Sequence, residues 1–134
     1  ALTYAASRGV EVIIIMPHIP DKKYAFMLAK TYYEQLLEAG VKIYEYEPGF
    51  VHAKVFVSDD VKGVVGTVNL DYRSLYHHFE CGLILYRNSQ IAVMEKDIRD
   101  TMEQCIEVKP EDYKKLRLTD RALGRIMRMV APLM

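Results

Sequence analysis

Six residues between positions 52 and 69 have the types and the spacing that phosphate chemistry requires. They form the pattern H-x-K-x4-D-x6-G-[S/T]-x-N, with His52, Lys54, Asp59, Gly66, Thr67 and Asn69. A neutral imidazole can attack phosphorus or transfer a proton. An ammonium group, a hydroxyl and a carboxamide can bind the non-bridging oxygens of a phosphoryl group. The pattern therefore predicts a site for phosphoryl transfer.

The pattern falls on segments that alternate like neighbouring β-strands. In an extended strand His52 and Lys54 point to one face, while the apolar residues between and after them point to the other face and into the core. The next strand runs back and ends near Thr67 and Asn69. We therefore expect these polar groups to share one cleft instead of being buried in apolar packing.

Two carboxylates, Asp59 and Glu80, each allow two interpretations. Asp59 lies beside Asp60 at a turn, which favours a structural role at the hairpin over a catalytic one. Glu80 opens a strand, where a carboxylate would be unremarkable. In the functional interpretation, Glu80 accepts the Nδ1 proton of His52, fixes the tautomer and leaves Nε2 for chemistry. A lone histidine in a strand is usually structural, but the complete pattern favours function for His52.

The remaining periodicity predicts an α/β fold with a mixed β-sheet flanked by helices. Apolar β-branched or alternating runs predict strands, at residues 10–17, 41–47, 52–59, 61–68 and 79–86. Spacing by three and four predicts helices, at residues 2–8, 22–39 and 88–106, with Ile106 facing inward. Two shorter helices are expected within 110–131, the second capped at Thr119–Asp120.

Composition limits the class of protein. The 134 residues are 51% hydrophobic and carry 18 basic and 18 acidic side chains, so we expect one folded domain without the basic excess of nucleic-acid binders. No apolar run reaches the ~20 residues of a membrane-spanning helix. Cys81 and Cys105 fit no metal spacing and are expected to be buried free thiols. The first helix lacks a start signal, from which we expect a piece of a longer chain.

The pattern resembles the HKD signature of the phospholipase D superfamily, and its flanks resemble the second HKD half of bacterial cardiolipin synthases. The matching segments are RGVEVIIIMPHIPD, YYEQLLEAGVKIYEYEPGFVHAKVFVSDD, GTVNLDYRSLYHHFECG and APLM. The resemblance covers nearly all of residues 2–134. In this family the glycine of the motif is often followed by Ser, whereas Thr67 follows Gly66 in this chain. The glutamate that orients the histidine in the family matches Glu80.

The resemblance implies a phospholipase D-like mechanism in which two HKD motifs face one pocket. One histidine forms a phosphohistidine, the other serves as general acid and base, and lysines and asparagines supply the positive field without a metal or other cofactor. His52 is expected to be the general acid and base. The implied catalytic residues are His52, Lys54, Asp59, Asn69 and Glu80. The implied phosphate-binding residues are Lys54, Thr67 and Asn69.

For substrates and partners, the resemblance implies that two phosphatidylglycerol molecules yield cardiolipin and glycerol at the cytoplasmic face of the cell membrane, with any anchor outside this chain. The second motif would come from the same parent chain or from a second copy. His77 and His78 do not supply it, because Phe79 and Glu80 stand where a lysine is required. Asp71 and Arg73 are expected to pair, to brace the loop, or to meet the head group.

Two other functions remain open. A homodimeric phosphodiesterase or nuclease of the same superfamily is disfavoured by the zero net charge and by the flanking sequence. An inactive scaffold is disfavoured because a domain without chemistry has no physical need for the complete set of polar groups.

Overall fold

The computed structural model describes residues 1–111, 124, 126–129 and 131–133, and the chain divides into two compact units. The first unit holds the described residues within Ala1–Val51 and Gln104–Ala131. The second holds those within His52–Glu103 and Pro132–Met134. All residues of the HKD pattern, and Glu80, belong to the second unit. The predicted cap at Thr119–Asp120 and most of the predicted tail helices lie outside the described residues.

The first unit is a mixed three-stranded sheet with helices. Its strands are neighbours in the order β1 (Ile13–Pro17), β2 (Lys42–Tyr46) and β6 (Cys105–Glu107), with β1 parallel and β6 antiparallel to β2. The elements in chain order are α1 (Leu2–Ser7), β1 (Ile13–Pro17), α2 (Lys23–Lys30), α3 (Tyr33–Glu38), β2 (Lys42–Tyr46) and, after the strands of the second unit, β6 (Cys105–Glu107). The mixed sheet flanked by helices confirms the predicted fold class.

The core of the first unit contains a charged residue that its neighbours compensate. Tyr33, Val41 and Ile43 are at most 4% exposed. Beside them the buried Glu45 carboxylate accepts a hydrogen bond from the Tyr33 hydroxyl at 3.1 Å and contacts His18 Nδ1 at 2.8 Å and Lys30 Nζ at 3.3 Å. A buried carboxylate is tolerated when it is paired in this way. Burial, and then the nearby Glu45, raise the pKa of Tyr33, so its hydroxyl stays a donor.

Two predicted helices have different bounds. The helix expected over 22–39 is two helices, α2 and α3, and the Thr31 hydroxyl donates to the Leu28 carbonyl at 2.6 Å where α2 ends. Such a bond competes with the helical ladder. The prediction of a helix to residue 106 is wrong, because Cys105–Glu107 forms β6 and Ile106 is 45% exposed. Pairing with the edge of β2 outweighs the local helical spacing there.

The second unit contains an antiparallel three-stranded sheet with a helix on one face. Its strands β3 (Val55–Ser58), β4 (Lys62–Gly66) and β5 (Gly82–Tyr86) are neighbours in that order, and α4 (Gln90–Met102) follows. Gly63 lets α4 approach closely, because a Cβ there would lie 3.0 Å from Met94 Sδ and 3.3 Å from Ile91 Cγ1. Ile91 is fully buried in this contact.

The hairpin between β3 and β4 confirms the predicted turn at Asp59–Asp60. Both residues have positive φ, 53° and 54°, and the Val61 N–H donates to the Ser58 carbonyl at 3.1 Å. Two left-handed residues in succession make the type I′ turn, whose twist matches antiparallel strands and which favours Asp, Asn and Gly. The turn explains Asp59 structurally.

The two cysteines are free thiols, as predicted, but they are not both buried. Cys105 is half-buried in β6, whereas Cys81 is exposed immediately before β5. The prediction of burial is wrong for Cys81, which lies outside the strand, because β5 begins at Gly82, three residues after the start of the apolar run FECGLILY.

Gly66 is required by the close approach of β4 to β5. A Cβ at Gly66 would lie 2.3 Å from the Cys81 carbonyl oxygen and 2.6 Å from Gly82 Cα, both backbone atoms that cannot rotate away. A Cβ at Gly82 would meet only ordinary contacts, 3.7 Å from the Val65 oxygen and 3.9 Å from Val64 Cγ1. Close packing of the two strands therefore explains why the HKD pattern has a glycine at this position.

We expect Gly66→Ala to lower the free energy of unfolding by ~1–3 kcal/mol, because the strands must separate to admit the methyl group. The matched control Gly82→Ala should stay within ~1 kcal/mol of the wild type, since its methyl group would make only ordinary van der Waals contacts. Urea unfolding followed by circular dichroism measures both. Equal losses in the two variants would contradict the assignment of the clash to Gly66.

Candidate active site

One end of the antiparallel sheet in the second unit collects the predicted site residues. Because neighbouring strands run in opposite directions, the start of β3, the end of β4 and the start of β5 share an edge. His52 and Lys54 precede β3, Thr67 and Asn69 follow β4, and Glu80 precedes β5. The sheet therefore brings these five residues to the same edge.

Asp59 is the exception among the predicted site residues. It lies at the turn beyond β3, at the opposite end of the hairpin from Lys54. Four residues of strand at ~3.3 Å each separate these ends by ~13 Å. Its carboxylate accepts a hydrogen bond from the Ser58 hydroxyl at 3.0 Å. The structural interpretation of Asp59 agrees with this position, and its catalytic role stays a prediction.

The backbone around His52 and Lys54 differs from the predicted strand over 52–59. The strand begins only at Val55, and residues 51–54 are not paired as strand. One further bond, from the Gly66 N–H to the Lys54 carbonyl at 3.2 Å, continues the ladder to Lys54. The Lys54 ammonium donates to the His52 carbonyl at 2.8 Å. Alternation along the strand therefore orients Lys54, whereas His52 lies before the ladder in an exposed segment.

The Glu80 carboxylate joins the segments of this edge. Its Oε1 accepts a hydrogen bond from the Ser74 hydroxyl at 2.6 Å, and its Oε2 accepts one from the Thr67 hydroxyl. The bond from Ser74 and then that from Thr67 hold the pKa of Glu80 below its ordinary value, and the Lys54 ammonium acts in the same direction. Desolvation acts in the opposite direction and ranks behind the two hydrogen bonds. Glu80 is thus an ionised acceptor at neutral pH.

Both the backbone and the side chain of Thr67 form hydrogen bonds with Cys81, the residue immediately before β5. Its N–H donates to the Cys81 carbonyl at 2.9 Å, and its hydroxyl oxygen accepts from the Cys81 N–H at 3.0 Å. A hydroxyl has one proton to donate, and here it goes to Glu80. The predicted donation from Thr67 to a substrate phosphate stays a prediction, as does the hydrogen bond predicted between His52 and Glu80.

Ser74 is a site residue that the sequence reasoning missed. It is 6% exposed; besides donating to Glu80, its hydroxyl accepts the Asn69 N–H at 2.8 Å, and its own N–H donates to Asp71 Oδ1 at 2.7 Å. Asp71 thus braces the loop by capping a turn and does not pair with Arg73. The signal was present in the Asp-x-x-Ser spacing, because an Asp side chain commonly accepts the N–H three residues later.

The carboxamide of Asn69 is exposed at this edge and has no hydrogen-bond partner among the described residues. Its backbone is fixed by Ser74, which leaves the amide group available for a ligand. Within the described part of the chain, no group of three or more His, Cys, Asp or Glu side chains is placed to hold a metal ion. The edge therefore offers an imidazole, an ammonium group and a carboxamide beside an anchored carboxylate.

Comparison with known proteins supports the family resemblance. The family described as "Cardiolipin synthase, PLD-like domain" matches residues 1–102. Over all 134 residues the chain is 53% identical to an uncharacterized protein of Streptococcus mutans, 38% to cardiolipin synthase 2 of Bacillus cereus and 41% to a cardiolipin synthase of Clostridium perfringens. It spans only 29%, 26% and 28% of their respective lengths.

The fold matches that of a solved structure. Nuc from Salmonella typhimurium, a phospholipase D family member, aligns with 80% of this chain and 70% of its own at a TM-score of 0.68. The sequence identity is 18%, so this match supports the fold alone. It agrees with the α/β fold expected from the sequence.

We expect Ser74→Ala to raise the pKa of Glu80 toward its ordinary value, ~4.3, because the largest cause of the lowered pKa is lost. A depressed carboxyl pKa stabilises the fold above the unfolded pKa, and this stability disappears as the pH falls through the folded pKa. The wild type should therefore lose more stability below ~pH 4.3 than the variant does. Carbon-detected NMR titration of Glu80 and urea midpoints against pH measure the two effects.

Ser58→Ala is the matched control for this prediction. The Ser58 hydroxyl is exposed and donates to Asp59 at the far end of the hairpin. Its removal should leave the Glu80 titration unchanged. The same Glu80 pKa in the wild type and in Ser74→Ala would show that Ser74 does not set it.

Proposed function

Because the chain belongs to the family of cardiolipin synthases with a phospholipase D-like domain, we propose that it is one HKD half of a phosphatidyltransferase. The proposed reaction joins two phosphatidylglycerol molecules into cardiolipin and releases glycerol. Residues 1–134 would act together as this half. A homodimeric phosphodiesterase or an inactive scaffold is the alternative that the experiment below can detect.

The observation that carries this proposal is the common edge of the sheet in the second unit. His52 and Lys54 come from the segment before β3, and Asn69 comes from the segment after β4. Glu80, at the start of β5, supports them through Thr67 and Ser74. A nucleophile or proton carrier beside two phosphate-binding groups suits a phosphodiester better than it suits a neutral acyl group.

In the proposed first step, the histidine of the second HKD motif attacks the donor phosphorus. A nitrogen–phosphorus bond forms, the bond from phosphorus to the glycerol oxygen breaks, and His52 gives that oxygen a proton. In the second step His52 takes the proton from the hydroxyl of another phosphatidylglycerol, whose oxygen displaces the histidine nitrogen. Both histidines then return to their starting forms.

Lys54 and Asn69 would bind the non-bridging oxygens throughout. Lys54 acts as a point charge, and the Asn69 carboxamide adds a directed donor. Together with their counterparts in the second motif they would stabilise the charge that develops on phosphorus without a metal ion or other cofactor. Glu80 would orient His52 at Nδ1 and keep Nε2 for proton transfer, while its hydrogen bonds hold it ionised.

The proposal requires a second HKD half. The chain spans 26–29% of the length of the relatives it matches, which is compatible with a second motif elsewhere in a longer protein. A second copy of this chain is the other source. No described helix combines the length and apolar character needed to cross a membrane, and we propose that the lipid substrates are met at the cytoplasmic face of the membrane.

The test uses the full-length protein with phosphatidylglycerol in mixed micelles and a chelator present. We expect cardiolipin and glycerol in equal amounts, and we expect His52→Asn to lower the rate ~10²–10⁴-fold, because general acid–base catalysis is lost. Thin-layer chromatography of labelled lipid measures the products. Phosphatidic acid without cardiolipin would mean hydrolysis, and dependence on a divalent ion would contradict the metal-free scheme.

His77→Asn is the matched control. His77 is an exposed histidine of the same unit whose Nε2 contacts the Pro132 carbonyl at 3.0 Å, and it has no role in the proposed steps. Its rate should stay within ~2-fold of the wild type, as is usual for surface substitutions. Equal losses in His52→Asn and His77→Asn would contradict a specific role for His52.

A further inference from the structure

Arg73 is held in a fixed position beside the site by a histidine. Its Nε donates to His78 Nε2 at 2.7 Å. A guanidinium does not lose its proton in proteins, so His78 Nε2 must be the acceptor and the His78 proton sits on Nδ1. The side chain of Arg73 is therefore anchored at one nitrogen, although it is exposed.

An unusual helical turn makes this contact possible. The His78 N–H donates to the Arg73 carbonyl at 2.8 Å, an i→i+5 bond, and residues Arg73–His77 form a single π-helical turn. Side chains meet at spacings of three and four in an α-helix, whereas the wider turn brings residues five apart together. Such turns are rare in proteins as a whole, but those that occur are often found at functional sites.

The anchored guanidinium still has two terminal nitrogens available. Among the described residues Nη1 and Nη2 have no hydrogen-bond partner, because Asp71 is used to cap the turn at Ser74. Four N–H groups in one plane form a fork that matches two oxygens of a phosphodiester. Anchoring at Nε reduces the entropy lost when the fork binds such a group.

Arg73 lies in the loop that connects two residues of the proposed site, Asn69 and Glu80. The next residue, Ser74, donates to the Glu80 carboxylate at 2.6 Å and accepts the Asn69 N–H at 2.8 Å. Arg73 therefore adds a cationic side chain, distinct from that of Lys54, to the loop whose Ser74 binds Asn69 and Glu80. The donor phosphate does not require Arg73, because the proposed mechanism assigns its oxygens to Lys54 and Asn69.

The chemistry of the proposed reaction calls for a second phosphate site. In cardiolipin a three-carbon glycerol bridge joins two phosphodiesters, so the accepting lipid brings a phosphate of its own a short distance from the phosphorus under attack. Water and simple alcohols bring none. A second anionic group therefore distinguishes the lipid acceptor from its competitors.

We propose that Arg73, positioned by His78, binds the phosphodiester of the accepting lipid and so selects an anionic glycerophospholipid over water or an uncharged alcohol. This inference rests on the proposed phosphatidyltransferase function and names the acceptor subsite of the same site. Arg73 acts in it as a specificity residue, and His78 as a positioning residue.

The experiment compares two acceptors with one labelled phosphatidylglycerol donor in the full-length protein. One acceptor is short-chain phosphatidylglycerol and the other is 1,3-propanediol, which offers the hydroxyl without the phosphate. In Arg73→Gln we expect transfer to the lipid acceptor to fall ~10–100-fold, as for loss of hydrogen bonds to a charged group. The loss should appear mainly in the KM for that acceptor, with transfer to the diol within ~2-fold of the wild type.

Three further variants sharpen the result. Arg73→Lys keeps the charge without the fork and should recover only part of the loss. His78→Leu removes the anchor and should raise the same KM by a smaller factor. Arg87→Gln is the matched control, because Arg87 is an exposed arginine just beyond β5 whose guanidinium lies over the Tyr86 ring. It should leave both transfers unchanged.

The outcomes separate this inference from the proposed function. Equal losses with both acceptors in Arg73→Gln would overturn it, because they would assign Arg73 to the donor phosphate or to the fold. No loss with either acceptor would overturn it as well. Wild-type protein that only hydrolyses the donor would instead overturn the proposed transferase function, and the acceptor subsite with it.

Discussion

The candidate site depends on one shared carboxylate. Glu80 lies just before β5, and its two oxygens accept hydrogen bonds from the hydroxyl groups of Thr67, after β4, and Ser74, in the following loop. These hydrogen bonds hold together the end of β4, the loop that follows it and the residues before β5. Since the same contacts keep Glu80 ionised, the group that organises this edge also supplies its negative charge.

The backbone makes this carboxylate reachable. Gly66 and Gly82 are cross-strand partners, and Gly66 has backbone atoms of the neighbouring strand where a side chain would start. The close approach continues as the pair of bonds between Thr67 and Cys81, which brings the Thr67 hydroxyl to Glu80. The glycine of the HKD pattern thus serves the site by position and not by chemistry.

Structural and functional parts of the pattern occupy opposite ends of the hairpin. Asp59 belongs to a type I′ turn, where its left-handed backbone sets the twist and register of β3 and β4. That register places Lys54 across from Gly66 at the other end. One short motif therefore carries both the turn that aligns the strands and the polar groups that the strands present.

Sequence patterns alone predicted the α/β class, five of the strands, including the three that carry the site, the hairpin turn and the residue types available for phosphate chemistry, because these follow from local periodicity, turn preferences and a long motif. The folded structure was needed to show that Glu80 contacts Thr67 and Ser74, that Arg73 meets His78, and that Cys105–Glu107 is a strand. Each of these depends on a partner distant along the chain, or on a wider helical turn, that no spacing rule specifies. A hydrogen bond forms only between groups that are close in space, and these groups come close only once the strands have paired.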